Sequence, residues 1–173
     1  MTQRGTNGKV IMTPTIDTLL DEVLAREGSK DTNDPNDSGG RTKFGISQRW
    51  HPDAWEDGPP TREAAKEIFF TIYVMKSKLH LVRPEYLLGQ LVDYAVLSGP
   101  HRAVVALQHI VEVPQDGRLG PITLGALATQ DPRTVNNAIV DRRVLLMTRL
   151  VQQRPKDLVW LYGWVSRALK FRV

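Results

Sequence analysis

A glutamate falls where the sequence pattern would place an apolar side chain. Five aliphatic residues repeat at helical spacing and form one stripe: Ile16, Leu19, Leu20, Val23 and Leu24. At about 100° per residue, Glu27 falls near the middle of that stripe. Desolvation raises the pKa of a carboxyl group, and a general acid working near neutral pH needs such a pKa. Glu27 is therefore a candidate acid. The alternative is that the last turn of the helix simply leaves it in water.

The stretch after Glu27 is rich in turn-forming residues and contains further carboxylate and hydroxyl side chains. Its chemistry-bearing members are Asp31, Asp34, Asp37 and Thr42. Glycosidases generally need one carboxyl group to protonate the leaving oxygen and a second group to position water or stabilise the oxocarbenium ion. A glutamate at a helix end, facing a loop that folds back over it, could supply both roles. The alternative is a local loop whose aspartates only accept hydrogen bonds from neighbouring backbone.

The elements that position these residues are predicted to be helices, with one exception. The chain has 173 residues, of which 41% are hydrophobic, enough for one domain or a tightly fused pair. Proline and cap residues predict helices beginning near residues 13, 61, 84, 100, 121, 132 and 156. Residues 37–47 are predicted to hold one small β-hairpin. The fold class is therefore mainly α, with a loose arm over residues 1–12.

Composition excludes several classes of protein. The chain has no cysteine, so it has neither a disulfide scaffold nor a Cys-ligated metal site. The four histidines lack metal-ligand spacing, and we expect neither a metal nor an organic cofactor. The sequence contains no apolar run long enough to span a membrane, and residues 1–9 lack the apolar core of a signal peptide. Without a signal peptide, a protein that works outside the cytoplasm needs a separate route there.

Charge divides the sequence unevenly. The net charge is −1 over residues 1–86 and +5 over residues 87–173. A basic C-terminal half indicates a polyanionic partner, and we weigh an anionic cell surface against ordinary solvated charge. Arg142-Arg143 is the one adjacent basic pair, which does not make a nucleic-acid recognition helix. We therefore expect no nucleic acid partner.

Two blocks of the sequence resemble a known family. The first block comprises Ala25-Arg26-Glu27-Gly28-Ser29 and, after a short spacer, Asn33-Asp34-Pro35-Asn36-Asp37-Ser38-Gly39-Gly40-Arg41-Thr42-Lys43-Phe44-Gly45-Ile46. It resembles the opening of the glycoside hydrolase family 108 muramidases, lysozyme-like enzymes common among bacteriophage endolysins. The second block comprises Leu91-Val92-Asp93-Tyr94-Ala95, Gly99-Pro100, Asp116-Gly117, Gly120-Pro121 and Gly163-Trp164. It resembles the peptidoglycan-binding segment that accompanies this catalytic region.

The resemblance implies a lysozyme-like helical fold and specific residue roles. It places a catalytic region in residues 13–86 and a helical peptidoglycan-binding region in residues 87–173, packed as one unit. Glu27 would be the catalytic acid, and Asp37 and Thr42 its partners on the loop and hairpin. The reaction would be hydrolysis of the β-1,4 bond between N-acetylmuramic acid and N-acetylglucosamine. The alternatives are a lytic transglycosylase or a non-catalytic wall-binding module.

Further residues are candidate contacts for the glycan. We expect Trp50 and Trp55 to bind substrate, because aromatic rings stack on sugars, and we name Asp34 and Tyr94 as further substrate-binding candidates. Trp50 and Trp55 lie in a loop after the hairpin and are expected to be semi-exposed. Trp160 and Trp164 lie at helical spacing, where the default role is core filling. The partner would be the glycan strand of peptidoglycan, met by a monomer acting on the cell wall.

Overall fold

The computed structural model describes residues 14–33 and 40–173, which form two compact units. Unit 1 ends at Lys76, and unit 2 spans Ser77–Val173. The described part of unit 1 contains α1 (Pro14–Glu27), a hairpin of β1 (Thr42–Lys43) and β2 (Ile46–Ser47), and α2 (Arg62–Phe70). A short 3₁₀ turn, Pro52–Trp55, precedes α2, and a π-helical turn, Thr71–Lys76, follows it.

Unit 2 is entirely helical. A 3₁₀ turn at Leu79–Leu81 leads into α3 (Glu85–Ser98), α4 (Pro100–Ile110), α5 (Pro121–Ala128), α6 (Pro132–Gln153) and α7 (Leu158–Leu169), the last after a 3₁₀ turn at Pro155–Asp157. Helix α6 packs against α3, α4 and α7, and α3 packs against α4. The predicted fold class, mainly α with one small hairpin, is confirmed. The paired strands occupy residues 42–47, while residues 37–39 lie outside the described part of the chain.

Helix α1 is stabilised by burial of its whole apolar stripe. All five stripe residues, Ile16, Leu19, Leu20, Val23 and Leu24, are buried, and α1 packs against α2. Ion pairs line the outer side of this contact: Lys66 Nζ lies 2.6 Å from Asp17 and 2.9 Å from Asp21. Gly28, with φ of +78°, ends the helix because glycine adopts left-handed backbone at little cost.

The hairpin turns over two residues. Thr42 pairs with Ser47 and Lys43 with Ile46, so Phe44 and Gly45 form the turn. Both have positive φ, 51° and 73°, as the tight hairpin turn that matches strand twist requires. The Gly45 backbone is exposed at the end of the hairpin, and because glycine has no β-carbon, another group can approach it closely there.

Helix α7 is packed differently from the prediction. Ala168 is its one buried residue, whereas Trp160 is 63% exposed, so the expected core role of Trp160 is wrong. The outward residues are also apolar, with Leu158, Val159, Tyr162 and Leu169 all exposed. A helix that is apolar on nearly every side has no periodic signal to identify its packed face. Trp164 is half-buried, as α7 packs on α6.

Candidate active site

The Glu27 carboxyl group lies against the hairpin turn. Glu27 is the last residue of α1, and its side chain is exposed. A β-carbon at Gly45 would be 3.0 Å from Glu27 Oε2 and 3.2 Å from Cδ, so the carboxyl group touches the bare turn backbone. The sequence left open whether Glu27 is desolvated or reached by water, and the structure shows its side chain exposed. Its role as the catalytic acid stays a prediction. A helical wheel of α1 could not predict this contact, because the facing residue, Gly45, lies in the hairpin turn and has no side chain.

A tyrosine that the sequence analysis missed lies within electrostatic reach of Glu27. Tyr73 belongs to the π-helical turn Thr71–Lys76, and its ring centroid is 5.3 Å from that of Phe69. Burial raises the pKa of the Tyr73 hydroxyl, and the negative charge of Glu27 raises it further. A π-turn adds a residue to the helical repeat and shifts the register, so a regular helical pattern over this stretch could not place Tyr73.

The base of the aspartate-rich loop is closed by two pairs of residues. Thr32 and Thr42 exchange backbone hydrogen bonds of 2.9 and 2.8 Å. Arg41 donates from Nε and Nη2 to the two Asp31 oxygens at 2.9 and 2.5 Å, and this pairing lowers the pKa of Asp31. The Thr42 hydroxyl, half-buried, donates to the Gly40 carbonyl at 3.2 Å. These two pairs, which we call the loop clamp, hold the two ends of the loop together.

Two of the predicted site residues fall inside that loop. Asp34 and Asp37 lie outside the described residues, and their roles stay predictions. Of the predicted catalytic group, the structure thus describes Glu27 and Thr42. Both lie beside the same hairpin, Glu27 at its turn and Thr42 in its first strand.

The two loop tryptophans differ in exposure. Trp50 is 66% exposed, as expected, with Arg49 beside its ring. Trp55 is buried, contrary to expectation, with the Arg41 guanidinium 5.2 Å from its ring centroid. Its buried Nε1 has no hydrogen-bond partner among the described residues. The Trp55 ring thus packs against Arg41, the residue that pairs with Asp31, whereas the Trp50 ring is largely exposed to solvent. Glycan contact by either stays a prediction.

Tyr94 lies in unit 2, in an arginine-rich setting. It is buried, and the Arg143 guanidinium lies 5.2 Å from its ring centroid. Arg143 is itself held by Gln90 at 2.7 Å and by Asp93 at 2.5 Å, and Arg167 donates to the other oxygen of Asp93 from Nε at 2.7 Å. The sequence analysis named Tyr94 but missed this cluster, whose members are 50 and 74 residues apart in the chain.

A buried glutamine organises the turn before α5. Gln108 Nε2 donates to Asp116 at 2.7 Å and to the Thr123 hydroxyl at 3.2 Å, and its Oε1 accepts from the Gly117 backbone at 2.9 Å. The ring of His101 fills the space that a β-carbon at Gly117 would need, 2.2 Å away. These contacts explain why glycine and aspartate follow one another here, and they give the motif a structural role.

Comparison with known proteins identifies both stretches. Residues 20–99 match the family described as Glycosyl hydrolase 108, and residues 102–169 match the family described as Predicted Peptidoglycan domain. Residues 20–99 are a family 108 glycosyl hydrolase domain. The chain is therefore a glycoside hydrolase, and the accompanying peptidoglycan domain makes it a peptidoglycan hydrolase.

Among solved structures, the chain is similar to one described as "Structure of Brucella abortus SagA". The identity is 28%, the alignment covers 91% of each chain, and the TM-score is 0.69. No curated protein sequence matches. The structural likeness extends over both units, so it supports the assignment of the whole helical fold to the family 108 hydrolase and its peptidoglycan domain.

The family boundary and the structural boundary of the hydrolase differ. The two family matches meet between α3 and α4, whereas the compact units divide after Lys76. Helix α3 thus belongs to the hydrolase match by sequence and to unit 2 by packing. The predicted ranges 13–86 and 87–173 stay a prediction.

Two further observations concern the described residues alone. None of their helices combines the length and apolar character needed to cross a lipid bilayer. Within the same residues, no three His, Asp or Glu side chains are grouped closely enough to hold a metal ion.

Proposed function

We propose that the hydrolase cleaves the β-1,4 bond between N-acetylmuramic acid and N-acetylglucosamine, with Glu27 as the general acid. The observation that carries this proposal is the contact between the exposed Glu27 carboxyl group and the bare backbone of Gly45. A general acid must reach the leaving oxygen directly, and a turn without a side chain leaves that approach open.

The neighbouring groups have distinct tasks in this proposal. The Glu27 proton passes to the glycosidic oxygen as the bond to the muramic acid carbon breaks, and water then attacks that carbon. Asp37 would stabilise the positive charge or orient the water, and the Thr42 hydroxyl would help to place it. The negative charge of Glu27 raises the pKa of Tyr73, so the Tyr73 hydroxyl would stay protonated near the proposed acid.

Replacement of Glu27 tests the proposal. Glu27→Gln is nearly isosteric and should lower wall-clearing activity about a hundredfold or more, the range of a lost general acid. The matched control is Glu22→Gln on the same helix, an exposed glutamate that pairs with Arg26 at 3.7 Å. It should keep parental activity. Near-normal clearing by Glu27→Gln would remove Glu27 from the mechanism.

Mass spectrometry of the fragments released from purified peptidoglycan tests the reaction type. Reducing N-acetylmuramic acid ends are expected, because water completes the hydrolysis. Anhydro ends would instead identify a lytic transglycosylase. Absence of any release would identify a wall-binding module.

We further propose that the enzyme acts on the cell wall as a monomeric, phage-type lytic enzyme that leaves the cytoplasm with the help of another factor. Fewer basic residues of the C-terminal half are available to bind an anionic partner than the sequence suggests. Arg143 and Arg167 share the single carboxylate of Asp93, and Arg172 pairs with Asp141, so two of these three positive charges are balanced within the chain. Lys156 and Lys170 are exposed and are the tail cations left to meet an anionic cell surface.

A further inference from the structure

Two adjoining cavities open on unit 2. One has a volume of about 490 Å³ and the other about 200 Å³, and Tyr94, Arg102 and Leu146 line both. The larger also takes in Trp164 and the aliphatic side chains of Leu97 and Leu150. Cavities of this combined size are typical of sites for small ligands or short peptides, and here apolar and polar side chains both line the walls.

The polar groups around these cavities carry one sign of charge. Five arginines line one or both cavities: Arg102, Arg142, Arg143, Arg149 and Arg154. Among the described residues, no carboxylate lines either one. Arg143 and Arg154 have ion-pair partners, Asp93 and Asp157. Arg102, Arg142 and Arg149 have no ion-pair partner among the described residues. Arg102 and Arg149 are also exposed. The site thus has guanidinium groups to offer an anion.

A buried donor at the same place is unsatisfied. Arg143 is 0% exposed, and its Nε has no hydrogen-bond partner among the described residues, although its two terminal nitrogens are bound. Buried donors are nearly always paired, and this one belongs to a residue that lines the larger cavity. The Tyr94 hydroxyl lies in the same field: burial raises its pKa, while the charges of Arg143, Arg142 and Arg102 lower it.

We propose that these cavities bind the carboxylate-bearing stem peptide of peptidoglycan. Arginine pairs with carboxylates through two parallel hydrogen bonds, and the apolar walls suit the short side chains of such a peptide. An uncharged sugar would not need several cations. A nucleic acid backbone would need them along an open surface rather than around a cavity. The proposal rests on peptidoglycan as the substrate of this enzyme, and it does not depend on the role of Glu27.

The cavities draw on both stretches that match known families. Tyr94 and Leu97 come from α3, inside the hydrolase match, whereas the arginines come from α4, α6 and the turn after α6, inside the peptidoglycan match. The stem-peptide site is therefore absent from either stretch alone, and its test requires the full chain.

The test is a calorimetric titration of the full chain with a synthetic L-Ala-D-Glu stem peptide that has free carboxylates and no sugar. Such a peptide has no glycosidic bond, so hydrolysis plays no part. Arg102→Gln and Arg149→Gln should each weaken binding about tenfold, as expected for the loss of a charge-assisted hydrogen bond. The matched control is Arg133→Gln, an exposed arginine at the other end of α6 that lines neither cavity. It should bind as the parent does.

Further ligands and one further variant complete the experiment. The amidated peptide should bind at least tenfold more weakly, and Glu27→Gln should bind the free peptide with parental affinity. Equal binding of the amidated peptide would overturn the proposal, as would an equal loss in Arg133→Gln. Displacement of the peptide by N-acetylglucosamine oligomers would assign the cavities to sugar. Displacement by inorganic phosphate at similar concentration would show a general anion site. Either result would also overturn it.

Discussion

The two units of the hydrolase hold their charged side chains in opposite ways. In unit 1, Lys66 meets Asp21 at 2.9 Å at a surface where the aspartate is 36% exposed. In unit 2, Asp93 is 1% exposed and lies between Arg143 and Arg167. Exposed pairs add little stability because water competes for both partners, whereas a buried pair cannot lose one member cheaply. The partly buried Lys66 pairs of unit 1 are therefore expected to contribute less to stability than the buried Asp93 cluster of unit 2.

The difference matches what each unit must do. The proposed acid of unit 1 has to exchange protons with solvent, so its position is held by backbone shape, through Gly45, rather than by a buried partner. The arginines of unit 2 do not change protonation, and burial fixes one of them in place. Mutations that remove buried charge should thus act on stability in unit 2. Mutations that alter backbone should act on activity in unit 1.

The largest effect is expected from Asp93→Asn. Removal of this carboxylate leaves the Arg143 charge buried without its ion-pair partner, which typically costs about 3–5 kcal/mol in the free energy of unfolding. Lys66→Ala breaks the exposed pairs of unit 1 and should cost about 1 kcal/mol or less. Guanidinium unfolding followed by tryptophan fluorescence measures both. Equal losses in the two variants would refute the contrast between the units.

The next effect is on activity, from Gly45→Ala. The new β-carbon would lie 3.0 Å from Glu27 Oε2 and would displace the carboxyl group, so wall clearing should fall by about tenfold to a hundredfold. Gly40→Ala is a matched control: its φ of +68° is close to the +73° of Gly45, and no atom of the described residues lies within 4 Å of its β-carbon. Both variants should lose similar stability, about 1 kcal/mol. Equal loss of clearing would mean that the contact with Glu27 has no part in catalysis.

The smallest effect is the pH dependence of the loop clamp. Pairing with Arg41 lowers the pKa of Asp31 below its ordinary value of 3.8. The clamp therefore stabilises the folded state above that value, and its contribution is lost as pH falls through the lowered pKa. Asp31→Asn should lower the melting temperature slightly at pH 7, and this difference should shrink at a pH below 3.8.

The control for the clamp is Asp53→Asn, an exposed aspartate that has no ion pair among the described residues. Its melting temperature should follow the parent at both pH values. A difference between Asp31→Asn and the parent that persists in acid would show that the clamp acts through hydrogen bonding alone.

The sequence was sufficient to predict most helices, for a local reason. Proline lies at the first turn of α4, α5 and α6, and Gly28 and Gly99 end α1 and α3. The helix boundaries could therefore be predicted from residues whose backbone conformation is restricted or unusual. The hairpin was predictable on the same grounds, because Phe44-Gly45 separates two short alternating runs.

The rest depends on contacts between distant residues. The helical pattern singled out Glu27, but it could not show that the Glu27 carboxyl group lies against Gly45, 18 positions later in the chain. Burial of Arg143 depends on Asp93 and Gln90, which no local pattern connects to it. The π-turn that carries Tyr73 also breaks the helical repeat on which such predictions rely.

The outward face of α7 sets the conditions under which the enzyme stays in solution. Leu158, Tyr162 and Leu169 are exposed there, and no charged residue occurs between Asp157 and Arg167. At pH 7 the net charge of +4 keeps molecules apart, but salt screens this repulsion beyond about 10 Å at 0.1 M. Concentrated salt, or a pH high enough to remove the net positive charge, should therefore precipitate the enzyme through this face. Dilute, neutral, low-salt buffers are the natural choice for storage.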